Sequence, residues 1–245
     1  KGKGVMIGHM DDMDPRVVTV IGAGVAGTQS ILKAIDNKAL VKVVDSSQSK
    51  LDDLKSKYGT HNVEYILSTK DSIQVSVNES DLVIGSVYVV GKEAPKVVTK
   101  DMLSSMNPGT VMVDVSIDQG GCFETSKPTT HDSPTFLENE IVHYCVTNMP
   151  GAVPLTATEA LNKVSLSYVE NLANNGIQNA LESDEHLRNG LNILDGNCSS
   201  WSKRSSRIIF RLGMFKKSNL YKFLLLFSLF VNASNDEKNS LIEIY

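Results

Sequence analysis

A glycine-rich turn between a short apolar strand and a helix constrains the fold of this chain more than any other feature. The strand spans Val17 to Ile21, and the turn reads Ile21-Gly22-Ala23-Gly24-Val25-Ala26-Gly27 before the helix-forming residues Thr28 to Ala34. Asp45 follows at the end of a second apolar run. A Gly-x-Gly-x-x-Gly turn with an acidic residue at that distance predicts a dinucleotide site, in which phosphate charge faces the helix N-terminus. A glycine-rich turn in another kind of α/β protein is the alternative.

Each residue of this pattern has a separate predicted role. Gly22 permits the tight turn, Gly24 lets the backbone approach a pyrophosphate, and Gly27 lets the helix pack closely on its strand. Asp45 can accept hydrogen bonds from ribose hydroxyls and would repel a 2′-phosphate, which predicts NAD rather than NADP as the cofactor. Lys50, one turn into the next helix, would offset part of that repulsion.

Composition narrows the class of protein and its partners. The 245 residues suffice for one large or two ordinary domains, and 41% apolar with 21% charged residues is a globular mixture. A net charge of -4, with no basic cluster over the main body, argues against a nucleic-acid partner. The cysteines Cys122, Cys145 and Cys198 are odd in number and form no Cys-x-x-Cys pair, which favours a reducing, cytoplasmic compartment over a disulfide framework.

Short β-rich runs alternate with helical stretches through the first part of the chain. The six predicted strands are Val17 to Ile21, Val41 to Val44, Val63 to Leu67, Leu82 to Ser86, Val111 to Ile117 and Ile141 to Thr147. Helical crossovers make such strands parallel, so the pattern predicts an α/β fold with a doubly wound, Rossmann-type parallel sheet. Ligands bind such sheets beyond the carboxyl ends of the strands. The residues expected at that edge are Gly22, Asp45, Ser68, Val87 and Asp118.

Capping residues mark two helices between these strands. Ser46 or Ser47 can cap a helix that runs through Tyr58 and stops at Gly59, and Thr99 can cap another that ends before Asn107. We expect both segments to pack against the sheet.

The pattern changes after Pro150. Helices are predicted over Thr156 to Asn175, closed by Gly176, and over Ile177 to Leu187. We therefore divide the chain into a nucleotide-binding domain over residues 1–153, a helical segment over 154–196 and a tail over 197–245.

The tail has a Ser-, Lys-, Asn-, Phe- and Leu-rich composition without periodicity. This composition is typical of an aberrant or disordered segment, such as a mispredicted exon or a frameshift. An amphiphilic tail for a partner or a membrane surface is the alternative. Its apolar run, Tyr221 to Val231, is shorter than the roughly 20 residues that a spanning helix needs, so no membrane partner is expected.

Residues Val113 to Asp132 read Val-Asp-Val-Ser-Ile-Asp-Gln-Gly-Gly-Cys-Phe-Glu-Thr-Ser-Lys-Pro-Thr-Thr-His-Asp. This stretch closely resembles the alanine dehydrogenases. The resemblance also includes Asp81 to Gly85, Ala94 to Lys96 and His143 to Pro154, and it covers the chain from its start to about residue 196. Transhydrogenase α chains share the superfamily, and a transhydrogenase-like subunit is a less favoured interpretation.

The resemblance implies a reversible, NAD-dependent oxidoreductase reaction. L-Alanine would be deaminated to pyruvate and ammonium by hydride transfer to NAD, in a cytoplasmic homohexamer. Family members carry an N-terminal domain with the substrate-carboxylate Arg, a pyruvate-binding Lys and a catalytic His, and none of those motifs is expected in this sequence. The chain is therefore expected to be the cofactor-binding part of such an enzyme, with an isolated NAD-binding module or an inactive gene fragment as the alternative.

The resemblance also implies the residues of the site. Those in contact with NAD would be Gly22, Gly24, Val25, Ala26, Gly27, Asp45, Lys50, Ser68, Val87, Tyr88, Val115, Lys127, Val146, Thr147, Asn148 and Met149. At Lys127 family members usually carry Arg, so the charge is kept while the bidentate geometry is lost. Met149-Pro150-Gly151 is expected to shape a loop near the nicotinamide.

Asp118 matches the catalytic aspartate of the family. A carboxylate just past a central strand can orient or deprotonate ammonia and water in a deamination. The alternative is that Asp118 only accepts hydrogen bonds from its own backbone, as short acidic residues after strands often do.

The remaining candidates are expected to be structural. His131 and His143 lack the spacing to other ligands that a metal site requires, so no metal is predicted. Cys122 has no neighbouring base and is expected to be a packed thiol rather than a nucleophile, and Cys145 is expected within the core.

Overall fold

The computed structural model describes residues 2–8, 13–89, 93–194 and 196–198. The chain divides into two compact units, over residues 1–152 and 153–244. The first unit contains the large sheet with its helices, and the described part of the second unit is mostly helical.

The described part of the first unit contains one sheet of seven strands. The strands are β1 (Val17–Ile21), β2 (Leu40–Asp45), β3 (Val63–Leu67), β4 (Leu82–Gly85), β5 (Val111–Asp114), β6 (Thr135–Glu138) and β7 (Ile141–Tyr144). Their order is β3-β2-β1-β4-β5-β7-β6, and every neighbouring pair is parallel except β6 and β7. The predicted doubly wound parallel sheet is therefore confirmed, and the antiparallel edge strand β6 was missed.

Three α-helices connect the strands of the first half of this sheet. They are α1 (Val25–Asp36), α2 (Gln48–Tyr58) and α3 (Lys70–Glu79). Ser47 caps α2, as predicted, with its hydroxyl accepting from the Lys50 N–H at 3.4 Å. The helix α3 was not predicted, and it begins with a reciprocal cap. There the Ser72 N–H donates to Thr69 Oγ1 at 3.0 Å, and the Thr69 N–H donates to Ser72 Oγ at 2.8 Å.

Two predicted strands end three residues earlier than expected, β4 ends one residue earlier, and one predicted helix has a different geometry. β5 stops at Asp114 rather than Ile117, because the Ser116 N–H turns back to the Asp114 carboxylate at 3.0 Å. β7 stops at Tyr144 rather than Thr147, because the Cys145 carbonyl accepts from the Thr129 N–H instead of continuing the sheet. The segment after Thr99 forms a 3₁₀ helix over Lys100–Ser105.

Apolar side chains cover both faces of the sheet. On one face Val20 and Val43 pack with Ile31 of α1 and Leu51 of α2. On the other face the core includes Ile21, Val44 and Val83 with Ile73 of α3 and Phe123. Each fully buried side chain of this size stabilises the fold by about 1.5–3 kcal/mol relative to exposure. Burial on both faces is what a doubly wound parallel sheet requires.

The second unit begins with α4 (Pro154–Ser183), followed by α5 (Glu185–Asn189) and the short hairpin β8 (Ile193–Leu194) and β9 (Asn197–Cys198). Gly176 interrupts α4 with φ 71° and ψ 166°, so the predicted break is confirmed. The second predicted helix ends at Ser183 rather than Leu187, because the Asp184 carboxylate caps α5 by accepting from the Leu187 N–H at 3.0 Å.

Residues 199–245 of the predicted tail lie outside the described part of the chain. Within the described ranges, no helix has the length and apolar character needed to cross a bilayer.

Candidate functional site

The carboxyl ends of the parallel strands form one continuous edge. The Gly22 N–H donates to the Val44 carbonyl at 2.8 Å, and the Ser68 N–H donates to the Asp45 carbonyl at 2.9 Å. Further along, the Val115 N–H donates to the Gly85 carbonyl at 2.8 Å. These bonds connect the segments that follow β1 to β5, so the structure brings the predicted edge residues to one side of the sheet.

The glycine turn is packed so tightly that two of its three glycines admit no side chain. Gly22 has φ 101°, and a Cβ there would lie 2.6 Å from the Ser86 carbonyl oxygen. At Gly27 a Cβ would lie 1.8 Å from the Gly22 carbonyl oxygen. Ser86, which the sequence analysis did not select, fixes the turn from β4 by donating to the Gly22 carbonyl at 2.8 Å.

Gly24 and the start of α1 remain open. A Cβ on Gly24 would meet no described atom within 4 Å. No side chain caps α1, and no acidic residue lies in its first turn. Val25 is 40% exposed, and Ala26 beside it is half-buried. The N–H groups of this helix N-terminus are therefore available to an anion.

Asp45 connects the glycine turn to α2. The carboxylate is 9% exposed and accepts from the Ala23 N–H at 2.7 Å and from the Ser47 N–H at 2.8 Å. One lone pair on each oxygen remains for a ligand hydroxyl. Lys50 is exposed in the first turn of α2.

The other half of the edge consists of the segments after β4, β5 and β7. Ser116 Oγ donates to the Val87 carbonyl at 2.9 Å and so joins the β4 and β5 ends. Tyr88 is 44% exposed, and partial burial raises the pKa of its phenol. Beyond β7, Val146 is buried, whereas Thr147 and Asn148 are exposed and Met149 is half-buried.

His131 fixes the segment after β7. Its Nε2 lies 3.1 Å from the Asn148 carbonyl, which also accepts from the Gly151 N–H at 2.8 Å. Because a carbonyl only accepts, the ring donates from Nε2. This contact agrees with the predicted structural role of His131.

Asp118 lies in the 3₁₀ turn Ile117–Gln119 directly after β5. The residue is exposed, and its carboxylate has no hydrogen-bond or ion-pair partner among the described residues. The alternative role, accepting from the backbone after the strand, belongs instead to Asp114 four residues earlier. The Asp118 carboxylate is therefore available at the surface of this edge.

Asp114 is fully buried and is the most heavily hydrogen-bonded side chain of the site. Its Oδ2 accepts from the N–H groups of Cys122 and Phe123 at 2.8 and 3.2 Å and from Ser126 Oγ at 2.5 Å. Its Oδ1 accepts from the Ser116 N–H at 3.0 Å and from Cys122 Sγ at 3.5 Å. Asp114 was predicted only as part of a strand over Val111 to Ile117, and its role at the site was missed.

The ammonium of Lys127 is not brought to the ends of β1 and β2. Its Nζ lies 3.4 Å from a Glu138 carboxylate oxygen and 5.4 Å from the centroid of the Phe136 ring, on the edge strand β6. Lys100 approaches the same carboxylate at 3.1 Å and, with Lys127, holds the pKa of Glu138 below its usual range. Cofactor contact by Lys127 stays a prediction.

The buried histidine and cysteines have packing partners. His143 is fully buried, with Nδ1 3.2 Å from the Ile141 carbonyl and Nε2 2.8 Å from Thr125 Oγ1. Burial lowers the pKa of His143, and the two contacts suit a neutral ring that donates from Nδ1 and accepts at Nε2. Burial, reinforced by the charge of Asp114, raises the pKa of the Cys122 thiol, and burial raises that of Cys145. Neither thiol is a reactive nucleophile in this state.

The glycine turn, the open helix N-terminus and the acidic residue at the end of β2 together fit a dinucleotide. The turn and α1 can hold the pyrophosphate, and Asp45 can accept from the adenosine ribose. The fold and this donor set define the first unit as a Rossmann-type dinucleotide-binding domain.

Comparison with known proteins gives the family. Residues 1–200 match the family described as alanine dehydrogenase/PNT, C-terminal domain, and the chain belongs to this family. Alanine dehydrogenase from Halomonas elongata is 49% identical over 195 residues, which are 80% of this chain and 52% of that protein. The chain thus spans about half the length of the curated relatives it matches. NAD is the cofactor that the family and the fold assign to this domain.

Solved structures agree with the fold. An L-alanine dehydrogenase aligns with a TM-score of 0.75 at 43% identity, covering 80% of this chain and 54% of that chain. A transhydrogenase from Sinorhizobium meliloti aligns with a TM-score of 0.53 at 24% identity, covering 61% of this chain and 43% of the other. The second likeness shows the fold alone.

Proposed function

We propose that this chain binds NAD for an alanine dehydrogenase reaction, the reversible conversion of L-alanine to pyruvate and ammonium. The observation that supports it most is the match of residues 1–200 to the family, with relatives named alanine dehydrogenase at 42–49% identity. When bound, the nicotinamide ring accepts or gives the hydride. The protein's contribution is to bind and orient the cofactor and to move protons.

The residues proposed to hold NAD follow the edge of the sheet. The N–H groups at the start of α1, including those of Val25 and Ala26, would face the pyrophosphate. Asp45 would accept from the adenosine ribose, with Lys50 and Ser68 beside it. The segments after β4, β5 and β7 would contact the other nucleotide, through Val87, Tyr88, Val115, Val146, Thr147, Asn148 and Met149.

Asp118 is the proposed catalytic residue. An exposed carboxylate with no described protein partner has both oxygens available to a substrate amine or a water molecule. In the deamination direction it would accept a proton at a carboxylate oxygen, and in the reverse direction it would return that proton.

Purified full-length chain should be tested first by fluorescence titration with NADH. L-Alanine with NAD, and pyruvate with ammonium and NADH, are then added in separate assays that follow NADH absorbance. If the chain turns over either substrate pair, Asp118→Asn should retain NADH binding and lose that turnover. Asp132→Asn, a matched change at an exposed aspartate outside the proposed site, should retain both.

Each result of these assays tests a different part of the proposal. Turnover of alanine that depends on Asp118 supports the proposal, whereas turnover unchanged in Asp118→Asn contradicts the role of that residue. NADH binding without turnover of either substrate pair fits both the cofactor-binding part of a larger enzyme and an isolated NAD-binding module, and it would contradict catalysis by this chain alone. No saturable NADH binding by folded chain would contradict the proposed use of the cofactor.

A cytoplasmic homohexamer is proposed on family resemblance. The helix α4 has exposed leucines, Leu155 at 72% and Leu166 at 55%, which is consistent with association. Light scattering during size exclusion would give the mass, and a monomer at all concentrations would contradict the proposed assembly.

A further inference from the structure

We propose that Asp114 is a positioning residue that shapes the nicotinamide half of the site. It acts through the segment Val115–Asp118 and the turn Gly120–Phe123 rather than by touching the cofactor. The inference rests on the proposed function, because it concerns the same cofactor site.

The contacts of Asp114 tie together the two ends of one loop. The Ser116 N–H reaches Oδ1 from the start of the loop, and the Cys122 and Phe123 N–H groups reach Oδ2 from its end. Ser126 Oγ adds a further donor to Oδ2 at 2.5 Å. The exposed Asp118 lies between these anchored ends, so the carboxylate fixes the path of the backbone that presents it.

Every described contact of this carboxylate is a donation to an oxygen. An ionised carboxylate is acceptor-only and matches that set of donors. Its side chain is fully buried, so no bulk water can replace a lost partner. The Asp114 carboxylate therefore fixes the loop together with the backbone hydrogen bond from the Gly121 N–H to the Ser116 carbonyl at 3.0 Å.

A second anchor comes from the other side of the loop. Lys96 donates to the carbonyl oxygens of Gly120 and Gly121, the latter at 2.7 Å. Ser116, whose N–H binds Asp114, also donates from its hydroxyl to the Val87 carbonyl. A displacement of the Asp114 carboxylate would thus also displace the neighbouring segment after β4.

The strand order places this loop at the half of the site where the nicotinamide nucleotide would bind. The adenosine would bind at the other half. Asp45 at the end of β2 marks the adenosine ribose side, and the glycine turn follows β1. β4 and β5 lie on the other side of β1, where the second nucleotide of a dinucleotide binds in this fold. Loss of Asp114 should therefore weaken contacts to nicotinamide more than contacts to ADP-ribose.

The test compares two ligands on the full-length chain by isothermal titration calorimetry. NADH contains both halves, whereas ADP-ribose lacks the nicotinamide. In Asp114→Asn the amide must place its NH₂ against an N–H donor, either that of Ser116 or those of Cys122 and Phe123. We expect NADH affinity to fall about tenfold and ADP-ribose affinity to stay near the wild-type value.

Asp81→Asn is the matched control. Asp81 accepts from the Val17 N–H at 3.1 Å and from Lys3 Nζ at 2.8 Å at the amino ends of β1 and β4, away from the proposed site. This variant should lower stability while leaving the ratio of the two affinities unchanged. Ser126→Ala removes one donor to Asp114 and should show the same selective loss as Asp114→Asn, to a smaller degree.

Equal losses for NADH and ADP-ribose in Asp114→Asn, or no loss for either, would overturn the inference while leaving the proposed function intact. If Asp114→Asn does not fold, as judged by circular dichroism, the same comparison is made with Ser126→Ala. Equal losses of NADH and ADP-ribose affinity in that variant, or no loss of either, would likewise overturn the inference. Absence of NADH binding in the wild-type chain would instead contradict the proposed function, and the inference with it.

Discussion

Replacing Asp45 with Asn should damage both the fold and the preference for NAD. The carboxylate accepts from the Ala23 N–H at 2.7 Å and from the Ser47 N–H at 2.8 Å, one on each oxygen. An asparagine keeps a single acceptor oxygen, so its NH₂ group must face one of these two N–H donors. One backbone donor beside a 9% exposed side chain then loses its partner.

The size of each effect follows from these contacts. A buried N–H without a partner costs about 1–3 kcal/mol, so we expect the free energy of unfolding to fall by about that amount. Loss of charged hydrogen bonds to ribose hydroxyls costs about 1.5–3 kcal/mol of binding, which corresponds to NADH binding weakened by about 10- to 140-fold. NADPH should lose less, because the repulsion of its 2′-phosphate disappears with the charge.

Urea unfolding of the chain measures the fall in the free energy of unfolding. Calorimetric titration with NADH and NADPH measures the change in the two affinities. Asp53→Asn is the control, since it makes the same charge change on an exposed residue of α2 whose carboxylate has no hydrogen bond to a described residue. If Asp45→Asn unfolds at the same urea concentration as Asp53→Asn, the argument from the two backbone contacts is wrong. An unchanged ratio of NADH to NADPH affinity would contradict the ribose contact.

Two further predictions concern packing and pH. Gly27→Ala should lower the free energy of unfolding by about 1–3 kcal/mol, because its Cβ would lie 1.8 Å from the Gly22 carbonyl oxygen. Gly24 faces open space, so the control Gly24→Ala should unfold in urea like the wild type. Equal stability of the two variants would refute that reasoning. Burial lowers the pKa of His143 in the fold, so the unfolded chain binds a proton that the folded chain does not, and stability should fall as pH drops through about 6.5. In urea titrations, His143→Gln should flatten this pH dependence of stability, whereas His61→Gln, at an exposed histidine, should not. A pH dependence that persists in His143→Gln and disappears in His61→Gln would exclude His143 as its cause.

The nucleotide half of the fold could be predicted because its signals are local. Gly22, Gly27 and Asp45 stand at fixed distances along the chain, and the strands β1 and β2 are rich in valine. The expected edge of the sheet follows from parallel topology alone.

The features that were missed depend on contacts between distant segments or on weak local patterns. β5 was extended to Ile117 because the residues after Asp114 alternate like a strand, whereas hydrogen bonds from Cys122, Phe123 and Ser126 hold the carboxylate inside. The capping box of α3 has Ser72 at its third helical position, where the usual pattern has a glutamate or glutamine. β6 has only four residues at an edge, where pairing with β7 decides its conformation.

The ion pairs on β6 have a consequence for association between molecules. An edge strand offers unpaired N–H and C=O groups to a strand of another molecule, and charges on that strand oppose such pairing because docking would remove them from water. Glu138, with Lys100 at 3.1 Å and Lys127 at 3.4 Å, places such charges at this edge of the sheet. Replacing Lys100 with an apolar residue would therefore favour edge-to-edge aggregation at high protein concentration.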